Sequence, residues 1–430
     1  MGYEKQFLQN LIAMQSVGSA PEEGFPYGRK SKEVLDFFLE EAASQNMRCH
    51  ITDNKAGYVE FGPEDSEKLF AMVCHLDVVP AGDGWVSDPF TLTVKDGKYF
   101  GRGIIDDKGP AAACFFAMRR LIAEGFEPKT RVRLILGTDE ERTCSCIECY
   151  ADKEEIPTFA ITPDAEFPVI YAEKGILNVK IYSDRPSKIE ANAGSATNMV
   201  PAGAQLTTGG VTYTASGVTA HASRPELGIN AVYRLIEVLH NAGADIKQSP
   251  LFTYIERELY GKEAGEYTGC RLSDESGRIT ANPAIICCSA DGESLVTDIR
   301  YPVTADKDSI VSYMAGRAAS YGLSVCETNH MPPLYKEKNT SGIKLLTDIW
   351  NSHMANYSGY RPEYAKQYSK PLAIGGGTYA RHLPNTIAFG LQAPWQTDQC
   401  HQANESLSIS DFEEDINVIM EAIVRLTDVI

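Results

Sequence analysis

No apolar run in the 430 residues approaches the length of a membrane span, and no repeat or low-complexity segment interrupts the chain. Basic residues are scarce. Forty Lys and Arg stand against 58 Asp and Glu, a formal charge of −18, which excludes the clustered cationic surface that a nucleic-acid partner needs. The N-terminal MGYEKQFLQNLIAMQS lacks the unbroken apolar stretch of a signal peptide. Its charges recur every few residues, and Phe7, Leu8, Leu11 and Ile12 stand at helical spacing, so an amphipathic first helix is expected. A myristoylation pattern is missing too, because Gln6 occupies its Ser/Thr position. The eleven cysteines are odd in number and follow no secretion signal, which suits reduced thiols and a cytoplasmic location. TCSCIEC brings Cys144, Cys146 and Cys149 together without a second pair at zinc-site spacing. Half-buried cysteines on a short helix are therefore expected there.

What is present is an ordinary globular composition, 43% hydrophobic and 23% charged, in a chain long enough for two or three domains. Two helical patterns, about residues 3–16 and 30–46, precede the short β-runs RCHITD, GYVEFG and KLFAMVCHLDVV. GPAAACFFAMRRLIAEG reads as a small-residue helix lying close on a sheet. RVRLILGTDEE and FAITPDAEFPVIYAEKG then read as buried strands. Strand and helix in alternation imply an α/β layer with a parallel component. From about residue 182 the pattern becomes β-α-β-α with alternating strands, which suits an antiparallel sheet faced by helices. After the Pro-Pro at 332–333 the α/β style resumes. The expected organisation is residues 1–181 and 334–430 as one α/β domain, with residues 182–333 inserted into it.

Acids and histidines gather at the predicted strand ends. In VCHLDVVP, His75 and Asp77 lie two apart on one face of an extended chain. They suit either a metal ligand with its orienting carboxylate or a hydrogen-bonded pair closing a strand. GTDEE ends a buried strand in Asp139, Glu140 and Glu141. Adjacent residues point opposite ways, so one glutamate can ligate metal while the other faces water as a general base. TPDAEFP supplies Asp164, and CHQANE supplies His401. Two histidines and at least three carboxylates form a mixed N/O set that suits zinc, or manganese and cobalt in a more oxygen-rich variant. One carboxylate can bridge two cations about 3.5–4 Å apart, and Asp106, first of the pair in GRGIIDDKG, is placed for that at a helix start.

The ordered set HLD, GRG-xx-D-DKG, TDEE, PDAEFP and a late histidine resembles the two-metal peptidases and deacylases that include carboxypeptidase G, aminoacylase and succinyl-diaminopimelate desuccinylase. Through TPDAEFP, GGGTYAR and HQANE it is most similar to the peptidase V-type dipeptidases among them. The resemblance spans residues 75–405 and implies a mixed-sheet α/β catalytic domain with an inserted α+β (ferredoxin-like) lid. It implies that His75, Asp106 and Asp164 hold one metal, and that Asp106, Glu141 and His401 hold the other. Two divalent ions are implied, Zn²⁺ first and Mn²⁺ or Co²⁺ as alternatives. Glu140 would be the general base, Asp77 the partner of His75, and the Asp106–Asp107 peptide cis.

From the lid, Asn198, His221 and Arg300 match substrate-contacting positions. His221 suits an oxyanion and Arg300 a C-terminal carboxylate in a forked pair. GGGTYAR lacks the GK[ST] ending of a phosphate loop. The resemblance gives Gly376, Gly377 and Thr378 to the substrate's carboxylate, with a plain tight turn as the structural alternative for the glycines. ERTCSCIECY stands where the family often has a small residue after the two glutamates, which bears on substrate preference. The implied activity is hydrolysis of a small peptide, most simply a dipeptide, by a monomer with an enlarged lid rather than a homodimer. An N-acyl amino acid deacylase is the alternative within the family, and a catalytically silent metal-binding protein the alternative outside it. Asp164, being aspartate, favours the peptidase over the deacylase. The presence of every ligand and of Glu140 weighs against the silent protein.

Overall fold

A computed structural model describes residues 2–430, and the chain divides into two compact units. The first comprises Met1–Tyr171, Lys336–Leu372 and Thr378–Ile430. Its sheet runs, in spatial order, through Arg48–Thr52, Ala56–Phe61, Arg131–Gly137, Leu69–His75, Phe159–Thr162, Thr386–Phe389 and Val169–Glu173. Leu69–His75 is parallel to both of its neighbours, and Phe159–Thr162 is parallel to Thr386–Phe389. The outer pairs are antiparallel, so the sheet is mixed. Every residue of LFAMVCH is buried, as a central parallel strand covered on both faces requires.

Helix Lys108–Ala123 is buried from Lys108 to Met118, and its run of Gly and Ala lets the backbone lie close to its neighbours. An aromatic cluster ties it to the first two helices. The Phe7 ring lies 5.1 Å from Phe115 and 5.3 Å from Phe38. The last helix, Ile409–Val429, starts on a Ser408 side chain that accepts from Asp411 N. It buries Phe412, Ile416, Ile419, Ile423 and Leu426 at helical spacing. Each such side chain contributes about 1.5–3 kcal/mol on burial. The cysteine run falls at the start of helix Ser145–Lys153, with Cys144 and Cys146 buried and Cys149 half-buried.

The second unit comprises Ala172–Tyr335 and Ala373–Gly377. It holds a seven-stranded antiparallel sheet, larger than the four strands of a minimal split βαβ unit. Helices Ala231–Ala242 and Lys307–Ala319 are capped by Asn230 and Asp306. Leu177, Val179, Leu235, Leu239, Leu295 and Met314 lie in its core. The unit begins at Ala172 rather than at 182. Gly175–Ser183 is an interior strand of this sheet, paired with both Gly292–Tyr301 and Ser324–Met331. Residues 373–377 belong to it as well, because Lys174 N donates to Ile374 O and Arg300 Nη1 donates to Gly375 O. Among the described residues no helix is long and apolar enough to cross a membrane.

Candidate metal centre

Three adjacent parallel strands of the first unit bring their carboxyl ends together, where α/β sheets build their sites. His75 closes the central strand and pairs in register with Gly137, so Glu140 and Glu141 follow just beyond it. On the other side Met72 pairs with Ile161, which brings Asp164 level with His75. Asp106 precedes helix Lys108–Ala123 across a cis peptide to Asp107, as the resemblance implies. His401 comes from the loop ahead of the last helix.

The two carboxylate oxygens of Asp106 face different histidines. Oδ1 lies 2.9 Å from His75 Nε2, and Oδ2 lies 3.0 Å from His401 Nε2. Asp164 Oδ2 is 3.6 Å from His75 Nε2, and Glu141 Oε2 is 3.0 Å from His401 Nε2. Two triads result, His75–Asp106–Asp164 and Asp106–Glu141–His401, each with its ligand atoms within 4.8 Å of one another. They are the only such groups among the described residues, and neither includes Cys144, Cys146 or Cys149.

The electrostatics of the cluster ask for added positive charge. Burial and the neighbouring Asp106 charge push Asp164 up to about 7. Burial, with Asp106 adding to it, also raises Glu141. Burial, then the charges of Asp164, Glu141 and Asp106, raises Glu140 well above the carboxylate range against the opposing pull of His75. Burial would raise Asp106 as well, but the two imidazoles hold its carboxyl well below the usual range. Hydrogen bonds to Asp106 and Glu141 push His401 up to about 11. The buried Glu141 Oε1 has no hydrogen-bond partner among the described residues. A pocket of three carboxylates, one oxygen of them orphaned, with two imidazole nitrogens fits a pair of divalent cations with N/O ligands.

The surrounding bonds refine the expected roles. His75 Nδ1 lies 3.0 Å from the backbone oxygen of Asp77 and 3.5 Å from Asp77 Oδ1. The Asp77 carboxylate also accepts from the N–H groups of Glu140 and Glu141, both at 3.1 Å. It therefore orients the turn that carries both glutamates as well as the histidine. Asp107 does not cap its helix by side chain; its Oδ2 accepts from His75 N at 2.8 Å. Glu405, the last residue of HQANE, is buried beneath the Asp106 loop. Sequence reasoning assigned a role to neither Asp107 nor Glu405. The signal available was only their place inside the two motifs.

Within the second unit, Asn198 and His221 lie on facing segments, with Asn198 O accepting from Ala222 N at 2.8 Å. Ser223 engages the Nδ1 edge of the His221 ring, with Oγ at 2.6 Å and N at 3.2 Å from Nδ1. Gly375 packs against Ser223, where an added Cβ would sit 2.9 Å from Ser223 Cβ. Close approach, not a turn alone, fixes that glycine. The forked pair of Arg300 is made inside the protein, from Nε and Nη2 to the two oxygens of Asp298 at 2.6 and 3.0 Å. Its Nη1 donates to Gly375 O at 2.8 Å. Gly376 and Gly377 follow in the same unit, and Thr378, in the first unit, accepts through Oγ1 from Ala380 N.

A mixed α/β sheet with two histidines and three carboxylates clustered at its strand ends defines a metal-dependent hydrolase. The chain belongs to peptidase family M20/M25/M40, which residues 71–425 match, and it is a metallopeptidase. A Staphylococcus saprophyticus protein described as a "putative dipeptidase" is 30% identical over 470 aligned positions, covering 99% of this chain and 97% of its own. In fold the chain is similar to human carnosine dipeptidase 1, with a TM-score of 0.63 and 14% identity over 99% of this chain and 97% of that one. It is also similar to a Bacillus subtilis dinuclear metal-binding peptidase of the M20 family, with a TM-score of 0.54 and 11% identity over 100% and 99% of the two chains.

Proposed function

We propose that this metallopeptidase is a dipeptidase, with two divalent cations held by His75, Asp106, Asp164, Glu141 and His401, and Glu140 as general base. The observation that carries the reading is Asp106, whose two oxygens each face a different histidine. Bound cations, Zn²⁺ first among them, would supply Lewis acidity and lower the pKa of a water. The position of Glu140 beside Glu141, just beyond the buried strand Arg131–Gly137, supports a proton-transfer role for it. It takes the proton of the attacking water on its carboxylate and returns it to the leaving amine. Asp77 holds Glu140 and Glu141 in place through their N–H groups. His221 takes the role of hydrogen-bond donor to the developing oxyanion, as the family resemblance implies.

Asn198, Gly376, Gly377 and Thr378 complete the substrate contacts in this reading. Arg300 contributes through Nη1 and by holding the glycine turn, because its other edge is occupied by Asp298. The dipeptide assignment draws on the description of the staphylococcal relative and on aspartate at position 164. A reducing, cytoplasmic setting is supported by the free cysteines, and a monomer by the seven-stranded second unit. Sedimentation tests the monomer. The functional test is a panel of dipeptides and N-acetyl amino acids given to metal-stripped protein, with Zn²⁺ or Mn²⁺ restored, beside Glu140→Ala. Metal-restored cleavage of dipeptides that the variant lacks is expected. Faster turnover of N-acetyl amino acids would give the deacylase, and metal binding without turnover of either would give the silent protein.

A further inference from the structure

We propose that Glu405 is the positioning residue of the metal centre: its buried carboxylate sets the backbone that presents Asp106 and locks it to the loop that presents His401. Residues 101–107 form neither strand nor helix, so their N–H groups need acceptors from elsewhere. Arg102 N donates to Pro89 O and Ile104 N to Gly101 O, and the fully buried Glu405 carboxylate supplies the acceptors for residues 103, 105 and 106. Oε1 accepts from Ile105 N at 2.7 Å and Asp106 N at 3.3 Å. Oε2 accepts from Gly103 N at 3.0 Å and Arg102 Nη1 at 2.7 Å. The backbone closes the same junction, with Gly101 N donating to Glu405 O at 3.2 Å and Ser406–Ser408 pairing with Lys98–Phe100.

Four donors on one group call for a carboxylate, which is acceptor-only, whereas an amide offers one acceptor oxygen. Internal neutralisation of Arg102 alone would leave Oε1 unexplained, since that oxygen is given wholly to the backbone of residues 105 and 106. Glu405 lies four positions after His401 in the same loop. One carboxylate thus fixes both sides of the 3.0 Å approach between His401 Nε2 and Asp106 Oδ2.

This inference rests on the proposed metal reading, and the experiment separates the two. Metal-stripped parent, Glu405→Gln and Arg102→Met are titrated calorimetrically with Mn²⁺ and with Zn²⁺, with thermal unfolding followed by circular dichroism. Glu405→Gln is expected to weaken cation binding about 10–100-fold, as loss of an orienting group beside a metal site does. At saturating metal it lowers kcat and leaves KM near the parent's. Arg102→Met keeps Glu405 on the backbone, so it lowers thermal stability while cation affinity stays close to the parent's. Parent-like affinity in Glu405→Gln, or equal weakening in both variants, would overturn the inference alone. If Glu405→Gln does not fold, Glu405→Asp keeps the charge but withdraws the acceptor by one methylene. Weakened binding supports the inference, and parent-like binding overturns it. A parent that binds no divalent cation would overturn the metal reading and this inference with it.

Discussion

Replacing Asp77 by asparagine tests how the site is held, because the change keeps the side chain's shape and removes only charge and one acceptor. Asp77 is 1% exposed, and its two oxygens accept from the N–H groups of Glu140 and Glu141 at 3.1 Å each. Asparagine retains one acceptor and turns an NH₂ toward the other donor. The orphaned N–H costs about 1–3 kcal/mol, and loss of charge assistance on the remaining bond costs about 1 kcal/mol more. The sum is about 2–4 kcal/mol of stability in the first unit. Chemical unfolding followed by tryptophan fluorescence reads that unit directly, because Trp85, Trp350 and Trp395 all lie in it. The midpoint should fall with an unchanged denaturant slope. The same variant loosens the turn bearing Glu140 and Glu141, so kcat should drop about 10–100-fold. An unfolding free energy within about 0.5 kcal/mol of the parent's would refute the reasoning.

Glu140→Gln should lower kcat about 10²–10⁴-fold while cation binding, measured by calorimetry, is retained; loss of both together would recast Glu140 as a ligand. Phe7→Ala, at the centre of the ring cluster with Phe38 and Phe115, should cost about 3–5 kcal/mol by fluorescence-detected unfolding. Glu258 in the second unit gives a pH dependence. Burial raises its pKa, but hydrogen bonds from Tyr321, Arg317 and Lys262 outweigh that and hold it below 4.5. A depressed folded-state pKa contributes stability that is complete above 4.5 and is lost as pH falls through the folded value, because the unfolded chain protonates first. Glu258→Gln should therefore flatten part of the acid limb, read by circular dichroism because the second unit has no tryptophan. Parallel acid limbs would count against it.

Much of the candidate site was legible because strand ends leave marks in a sequence. A buried apolar run that stops in HLD, GTDEE or TPD places its acids where a parallel sheet opens, and it is the ordered set of these motifs, rather than any one of them, that points to a metal centre. Arg300 was legible as a residue but not in its bonding. Asp298, two positions away on the same strand, takes its fork, and only the folded strand brings the two side chains parallel. The start of the second unit was misplaced for a related reason. GILNVKIYS reads as a buried strand in either sheet, and its partners lie more than a hundred residues further along the chain.

The order of residues was enough for the helices and strands, an α/β layer with a parallel component and the identity of the polar groups, since these follow from periodicity and from which residues end each buried run; the mixed sheet was implied by the family resemblance. Folding alone settles which oxygen faces which nitrogen, that Asp77 serves two backbone donors, and that Glu405 gathers the loop under Asp106. Those facts depend on contacts between segments up to three hundred residues apart. Their cause is the need of every buried N–H and carboxylate for a partner, and a linear pattern does not record which one it finds.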